Sequence, residues 1–419
     1  MTTRQAVAVL SIVILGGGVR TLTAQSRFGI SPVGQGIVTL NRSDPIPEGG
    51  SLSEVRLVQP VLMLMGHGFG TRLGFVATLD FESVTMKDGE LTPGAWGEGF
   101  VDRRHPHTTI HELALTANDL LFGVDPKAHL SVTIGKGFVP FGSDDPMSRP
   151  FERYPVNHHL AQVAERGIGV MRYDRGRVTL EGALFDGDEP TTPSDMPLIR
   201  FEGGWRFGDS WSGRLTVRPV DGLELQASRA HVHSPESRPG AGPDAEKYSV
   251  SGRWQRTTAT REHYAMVEYA RTSELAGAFV YHTFLAEGLV GGDRFRASYR
   301  FERTERPEEL RLFDPFRTVR PSPDNSILGI SRWSLHTFRL AYDLVTPHGK
   351  LIVQPFVEGT LGRVASIGGG IFDPVSLYGT DQVRSLNVGV VVGWGMRGHR
   401  MGVYGAPMSG MQGMAGMKM

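Results

Sequence analysis

The sequence predicts an all-β fold, a transmembrane antiparallel β-barrel of about sixteen strands (range fourteen to eighteen) with long outer loops. Three observations predict it. Side chains alternate between apolar and polar along most of the chain. Short and long connections take turns between the alternating segments. The composition is too polar for a bundle of membrane helices, since hydrophobic residues make up 40% of 419 residues, yet it suits a barrel whose every second side chain faces water.

The first element is a targeting segment. Arg4 precedes an apolar run over residues 6–15, three glycines at 16–18 end it, and Ala24 offers a cleavage point before Gln25. That run is too short to span a bilayer, so residues 1–24 are expected to be a secretory signal peptide. No later apolar run is long enough for a membrane helix.

Period-two segments follow. In 293–303, Phe295, Ala297, Tyr299 and Phe301 share one face, opposite Arg294, Arg296, Ser298, Arg300 and Glu302. In 211–218, Trp211, Gly213, Leu215 and Val217 oppose Ser212, Arg214, Thr216 and Arg218. In 336–343, His336, Phe338, Leu340 and Tyr342 oppose Thr337, Arg339, Ala341 and Asp343. Such alternation marks a strand with one apolar and one polar face. The pattern recurs at 53–65, 70–82, 109–122, 128–138, 177–186, 223–233, 247–256, 262–272, 349–361 and 383–394. A soluble β-sandwich would alternate too. The strand number, the arginines on the polar faces and the aromatics near strand ends favour the barrel.

Connection lengths give a separate argument. Short ones lie at 66–69, 123–127, 174–176, 219–222, 257–261, 286–292 and 345–349. Long ones lie at 83–108, 139–166, 187–211, 234–246, 304–332 and 362–382. They alternate if a weak first strand covers 35–42, if 197–207 is an arm of an outer loop, and if 272–275 is an unusually short outer turn. Sixteen strands then result, with both ends in the periplasm. The barrel is expected over 25–395 and a flexible, Met- and Gly-rich periplasmic tail over 396–419.

Several function classes drop out. Basic and acidic residues balance at 44 each, so nothing suggests nucleic-acid binding. The chain has no cysteine, which excludes thiolate metal sites and thiol nucleophiles. It has no P-loop, HExxH or GxSxG motif, and Asp144 and Asp145 sit in a turn-like Pro- and Ser-containing loop. No enzyme activity is expected.

The overall plan resembles porins of the phosphate-selective type and related porin-like outer-membrane proteins. Residues 96–112 (WGEGFVDRRHPHTTIHE), 136–160 (KGFVPFGSDDPMSRPFERYPVNHHL) and 209–225 (DSWSGRLTVRPVDGLEL) also resemble the latter group. The resemblance implies a barrel with a pore and supplies no catalytic residues. One departure stands out. Such barrels usually end on an aromatic residue, whereas here 25 residues follow Trp394.

Candidate site residues fall into two groups. Arg214, Arg218, Arg253, Arg294, Arg296, Arg300 and Arg339 lie on polar faces and are expected to line the pore, where guanidinium groups attract anions. Glu268, Glu302, Glu358 and Asp343 are candidate partners for them. The expected function is a channel for small hydrophilic, anionic solutes, in contact with outer-membrane lipid and compatible with a homotrimer. The alternative is a metal-handling protein. His105, His107 and His111, with His158 and His159 in the next long loop, offer imidazoles for a divalent ion. Met408, Met411, Met414 and Met417, three apart in the tail, offer soft thioethers for copper. His231 and His233 form a further His-x-His without a third ligand. Against this alternative stand solvated loop histidines and a low-complexity tail. No cofactor is otherwise expected.

Overall fold

A computed structural model describes residues 28–45, 50–69, 72–81, 108–121, 127–143, 149–151, 155–156, 161–190, 194, 206–235, 242–258, 260–309, 327–345, 351–395 and 400–405. The proposed signal peptide and residues 197–205 of the proposed loop arm lie outside them.

Sixteen strands form one closed antiparallel barrel in which each strand pairs with its chain neighbours and the first pairs with the last. They are β1 (Phe28–Asp44), β2 (Leu52–Gly68), β3 (Leu73–Asp80), β4 (Ile110–Ala117), β5 (Ala128–Gly137), β6 (Arg166–Arg175), β7 (Val178–Phe185) and β8 (Ser210–Val217). The second half comprises β9 (Leu223–Val232), β10 (Ala245–Thr257), β11 (Glu262–Glu274), β12 (Phe279–Gly291), β13 (Phe295–Glu309), β14 (Ile327–Tyr342), β15 (Leu351–Gly368) and β16 (Gln382–Trp394). Closure runs from Gly34 opposite Trp394 to Asp44 opposite Arg384. Closing the sheet leaves no unpaired edge, which is what lets strands lie in lipid.

The expected alternation sorts the two faces. Val250, Val267, Phe338, Leu340, Leu361, Leu386 and Val388 point outward and are exposed. Their neighbours Ser249, Glu268, Thr337, Arg339, Thr360, Ser385 and Asn387 point inward and are buried. Polar rings of this kind cross strand boundaries, as where Asn41, Asn387 and Glu358 bond in series across β1, β16 and β15, the last bond being 3.1 Å. Aromatic groups mark both ends of the outer surface. Phe295 and Tyr342 pack edge to face at 4.8 Å at the short-turn end. At the other end the Arg229 guanidinium lies 5.4 Å from the Trp211 ring and 5.2 Å from that of Tyr248.

The short outer turn expected after Thr272 is a single 3-10 turn over Leu275–Gly277. The loop between β15 and β16 carries a short helix, α1 (Pro374–Tyr378), capped where Asp373 accepts the Ser376 amide at 2.9 Å. The Ser376 hydroxyl and amide hold that carboxyl below its ordinary range. Tyr378 meets Trp333 edge-on at 6.0 Å, so this loop turns over the outer mouth. No helix among the described residues is long and apolar enough to cross a membrane; the strands do the crossing. A single-chain barrel with an even strand number, an apolar outside and a polar inside is the architecture of the bacterial outer membrane.

Candidate pore interior

The inner wall is built from charges that register brings together. Glu181 on β7 stands opposite Arg214 on β8 and opposite Arg172 on β6. Its oxygens accept from Arg214 at 2.6 Å and 2.9 Å and from Arg172 at 3.4 Å. Arg172 also bonds Asp174 at 2.6 Å. On β12 and β13, Glu287 stands opposite Arg300 and accepts from it at 2.9 Å. The Tyr264 hydroxyl donates to the same carboxylate at 3.0 Å. Antiparallel register makes these pairs, because residues directly opposite one another share a face.

Six of the seven expected pore-lining arginines face the interior. Besides Arg214 and Arg300, Arg218 and Arg253 reach Glu224 at 3.1 Å and 3.0 Å. Arg296 bonds Asp343 at 2.9 Å and also Glu262. Arg339 donates to the Phe151 carbonyl at 3.1 Å and lies 4.0 Å from the Phe356 ring. Arg294 is different. It sits in the turn before β13, exposed, and donates to the outward-facing Tyr342 hydroxyl at 3.3 Å. The strand begins one residue later than the alternation suggests, so Arg294 belongs to the rim and not to the lumen.

The described residues of the long connection between β5 and β6 lie inside the barrel. Its first and last residues Phe138, Val139, Phe141, Val163 and Ala164 pack on an apolar patch of the inner wall made by Ile168, Val170, Ala183, Phe185, Ala230 and Val232. The inner wall is apolar under this loop, and smaller apolar clusters face inward elsewhere, at Ile37, Phe356 and Val391 and at Met266, Leu285 and Leu289. Farther along, the loop reaches the opposite side. The Gly142 amide donates to Ser228 at 2.9 Å and the Ser143 amide to Glu268 at 3.1 Å. Arg149 lies 3.7 Å from Glu268 and 3.8 Å from Glu287. The Val156 amide donates to Glu302 at 3.1 Å. Glu268 and Glu302, expected to pair with wall arginines, thus hold the loop. An apolar run ending a strand, GFVPFG at 137–142, was the sequence signal for it.

A second segment also occupies the interior. Residues 400–405 were expected to hang free in the periplasm, but they lie along the inner wall from β9 to β4. Arg400 bonds Glu224 at 2.7 Å and 3.2 Å, and the Gly402 carbonyl accepts from Arg214 at 2.9 Å. The Tyr404 hydroxyl donates to Glu112 at 2.7 Å and accepts from the Phe138 amide at 2.9 Å. The Gly405 carbonyl accepts from Ser131 at 3.1 Å. Met401 and Tyr404 are only 5% exposed, packed with Phe138, Val139 and Ile168. Burial, and then the Glu112 carboxylate, push the Tyr404 hydroxyl well above its ordinary pKa, so it stays a donor.

Of the expected metal ligands, His105, His107, His158, His159, Met408, Met411, Met414 and Met417 lie outside the described residues. His111 does not belong with them. Parity with Leu113 and Leu115 places it facing lipid, but β4 bulges at His111, since the consecutive Thr78 and Leu79 of β3 pair with Glu112 and Ile110, and the extra residue turns inward. Its Nδ1 lies 2.7 Å from Glu165, which also binds Lys136 at 2.8 Å. The ring packs edge-on against Phe138 at 4.9 Å. His111 thus fastens the root of the inward loop. His231 and His233 bond Glu246 and Asp244 at 2.8 Å and 2.6 Å on the outer rim. Among the described residues, no group of three or more His, Asp or Glu has a metal-binding arrangement.

No protein-family model matches the sequence, and no curated protein does. Among solved structures the chain is similar to OmpT, an outer membrane protein of Vibrio cholerae, at 8% identity, covering 90% of this chain and 100% of that one with a TM-score of 0.49. It is similar to an anion-selective porin from Comamonas acidovorans at 9% identity, covering 88% and 100%, with a TM-score of 0.48. It is also similar to OprB of Pseudomonas putida at 11% identity, covering 91% and 97%, with a TM-score of 0.49.

Proposed function

We propose that the chain is a porin-like outer-membrane channel for small hydrophilic solutes, with a preference for anions. The observation that carries this reading is the lined interior. Arginines and carboxylates paired across strands face inward on one wall after another, where a sealed barrel would more economically carry apolar side chains. Paired charges in a wet lumen hold water and let ions exchange partners. The inward loop, braced at Ser228, Glu268 and Glu302, narrows the passage and sets an upper size for the solute. The inward guanidinium groups of Arg214, Arg218, Arg253, Arg296, Arg300 and Arg339 are the basis of the anion preference, and inorganic phosphate and small carboxylates are the solutes to compare first.

Planar-bilayer recording of the purified chain tests the reading. Discrete, ohmic steps are expected, with a reversal potential in a KCl gradient displaced toward that of chloride. A barrel that inserts and stays silent would remove the channel, and a potential displaced toward potassium would remove the anion preference.

A further inference from the structure

The outward face of the barrel carries basic side chains in one cross-strand row. Antiparallel register sets Arg303 of β13 opposite Ser334 of β14, and Ser334 opposite Arg363 of β15. Residues opposite one another share a face, and this row points away from the lumen, since Glu302, Leu335 and Val364 beside it are buried inside. Both arginines are exposed and the serine is half-buried. The rows on either side hold Arg332, bonded to Glu305 at 2.7 Å, and Arg384, bonded to Asp44 at 2.7 Å. Charge on a lipid face is costly at the bilayer midplane and costs almost nothing at its edge. Arg303 stands near that edge. It lies eight residues beyond Phe295, whose ring marks the short-turn end, which is about 26 Å along the strand and about 20 Å of height at the usual tilt. A flexible stem carries its guanidinium the rest of the way to the rim of an apolar band about 25 Å tall.

Below this row the same face is apolar and hollowed. The next row is Phe301, His336 and Leu361, with the His336 ring bonded to the Tyr299 hydroxyl at 2.8 Å. The row after that sets Phe338 opposite Gly359 and Gly359 opposite Leu386. A Cβ added at Gly359 would meet no atom within 4 Å, so the missing side chain leaves a notch between two exposed apolar neighbours. One row lower, Leu340, Val357 and Val388 begin an apolar groove of about 810 Å³ that also takes in Leu40, Val390 and Phe295. Two guanidinium groups about 10 Å apart, with a hydroxyl between them, suit a phosphate that bridges them. The notch and groove leading away from that point suit the chains attached to it. Within the bilayer their gain is van der Waals contact, since every competing chain is apolar too.

We propose that the outward face of β13–β16 is a docking site for a phosphorylated, acylated lipid of the outer leaflet. Arg303, Arg363 and the Ser334 hydroxyl hold its phosphate, and the notch at Gly359 with the groove below it seats an acyl chain. Orientation selects the leaflet. The arginine row lies toward the long-loop ends of the strands and Phe295 toward the short turns, which face the periplasm. The site lies outside the lumen, so it stands independently of the channel reading above.

Titration of the full chain in detergent micelles with diphosphorylated lipid A, read by native mass spectrometry, tests the proposal. A double variant, Arg303→Gln with Arg363→Gln, should bind about thirty-fold more weakly, the effect of two basic side chains beside an anionic headgroup. Arg303→Lys with Arg363→Lys should keep most of the affinity. Gly359→Leu should weaken binding about five-fold by filling the notch. Its thermal unfolding should stay native, since the added side chain starts in open space. Lipid A stripped of phosphate should bind the native chain no better than the intact lipid binds the glutamine variant. Excess inorganic phosphate should leave the lipid in place. Native affinity in the glutamine variant would overturn the phosphate cradle, and native affinity in Gly359→Leu would overturn the acyl seat. Displacement by inorganic phosphate would overturn the lipid assignment in favour of a free-anion site.

Discussion

Replacing Glu287 with alanine is expected to destabilise the barrel by about 3–5 kcal/mol, the usual effect of removing one member of a buried, hydrogen-bonded ion pair. Glu287 is 4% exposed and Arg300 2%. The carboxylate takes hydrogen bonds from Arg300 at 2.9 Å and Tyr264 at 3.0 Å, and it faces Arg149 of the inward loop at 3.8 Å. Without it the Arg300 guanidinium loses the carboxylate that stands opposite it, and the Phe151 ring that it covers at 4.7 Å carries no charge to replace it. The damage should spread to the loop, since Arg149 loses one of its two carboxylates. Thermal unfolding in detergent measures the effect. A combined Glu287→Met and Arg300→Met variant should recover much of the loss, because removing both charges leaves none unpaired. A single variant that melts like the native chain would show that water reaches this pair freely.

Substituting alanine for Gly142 should expel the inward loop from its seat while the wall remains folded. Gly142 has φ +67°, a left-handed conformation that suits glycine, and an added Cβ would stand 1.6 Å from the Ala161 carbonyl oxygen. The backbone strain and the collision together are expected to cost about 2–4 kcal/mol locally. The obstacle is a main-chain oxygen, so an Ala161→Gly change should give no relief. The amides of Gly142 and Ser143, which hold the loop to Ser228 and Glu268, would be pulled from their acceptors. The expected readout is a larger single-channel conductance together with cleavage of the loop by added protease. Native conductance and native protease resistance would show that the loop does not narrow the passage.

These two residues also show where sequence reading stops. Strand number, alternation and the order of short and long connections were legible, because lipid on one side and water on the other impose period two on every strand. The weak first strand at 35–42 proved to be part of β1, and the awkward short outer turn after Thr272 is present. Of the seven arginines expected in the lumen, six face inward and Arg294 does not. Their partners were not legible, because Glu287 meets Arg300 only once the register of β12 on β13 is known. A single bulge was enough to reverse His111, since one extra residue exchanges the two faces of a strand. The two internal segments were hidden by composition. A loop between strands and a glycine-rich tail both read as solvent-exposed, although Phe138 and Phe141 in the first and Arg400 and Tyr404 in the second stood out from their surroundings. The aromatic rings among them are costly to leave in water and found buried neighbours, and Arg400 found a carboxylate, Glu224.

The central claim is a water-filled passage through a closed barrel, narrowed from within. Swelling of proteoliposomes in isotonic solutes tests it most directly. Vesicles holding the full chain should swell in small sugars and amino acids and resist larger oligosaccharides. The size limit should rise in the Gly142→Ala variant. No swelling in any solute, with the barrel shown to be folded and inserted, would contradict the account.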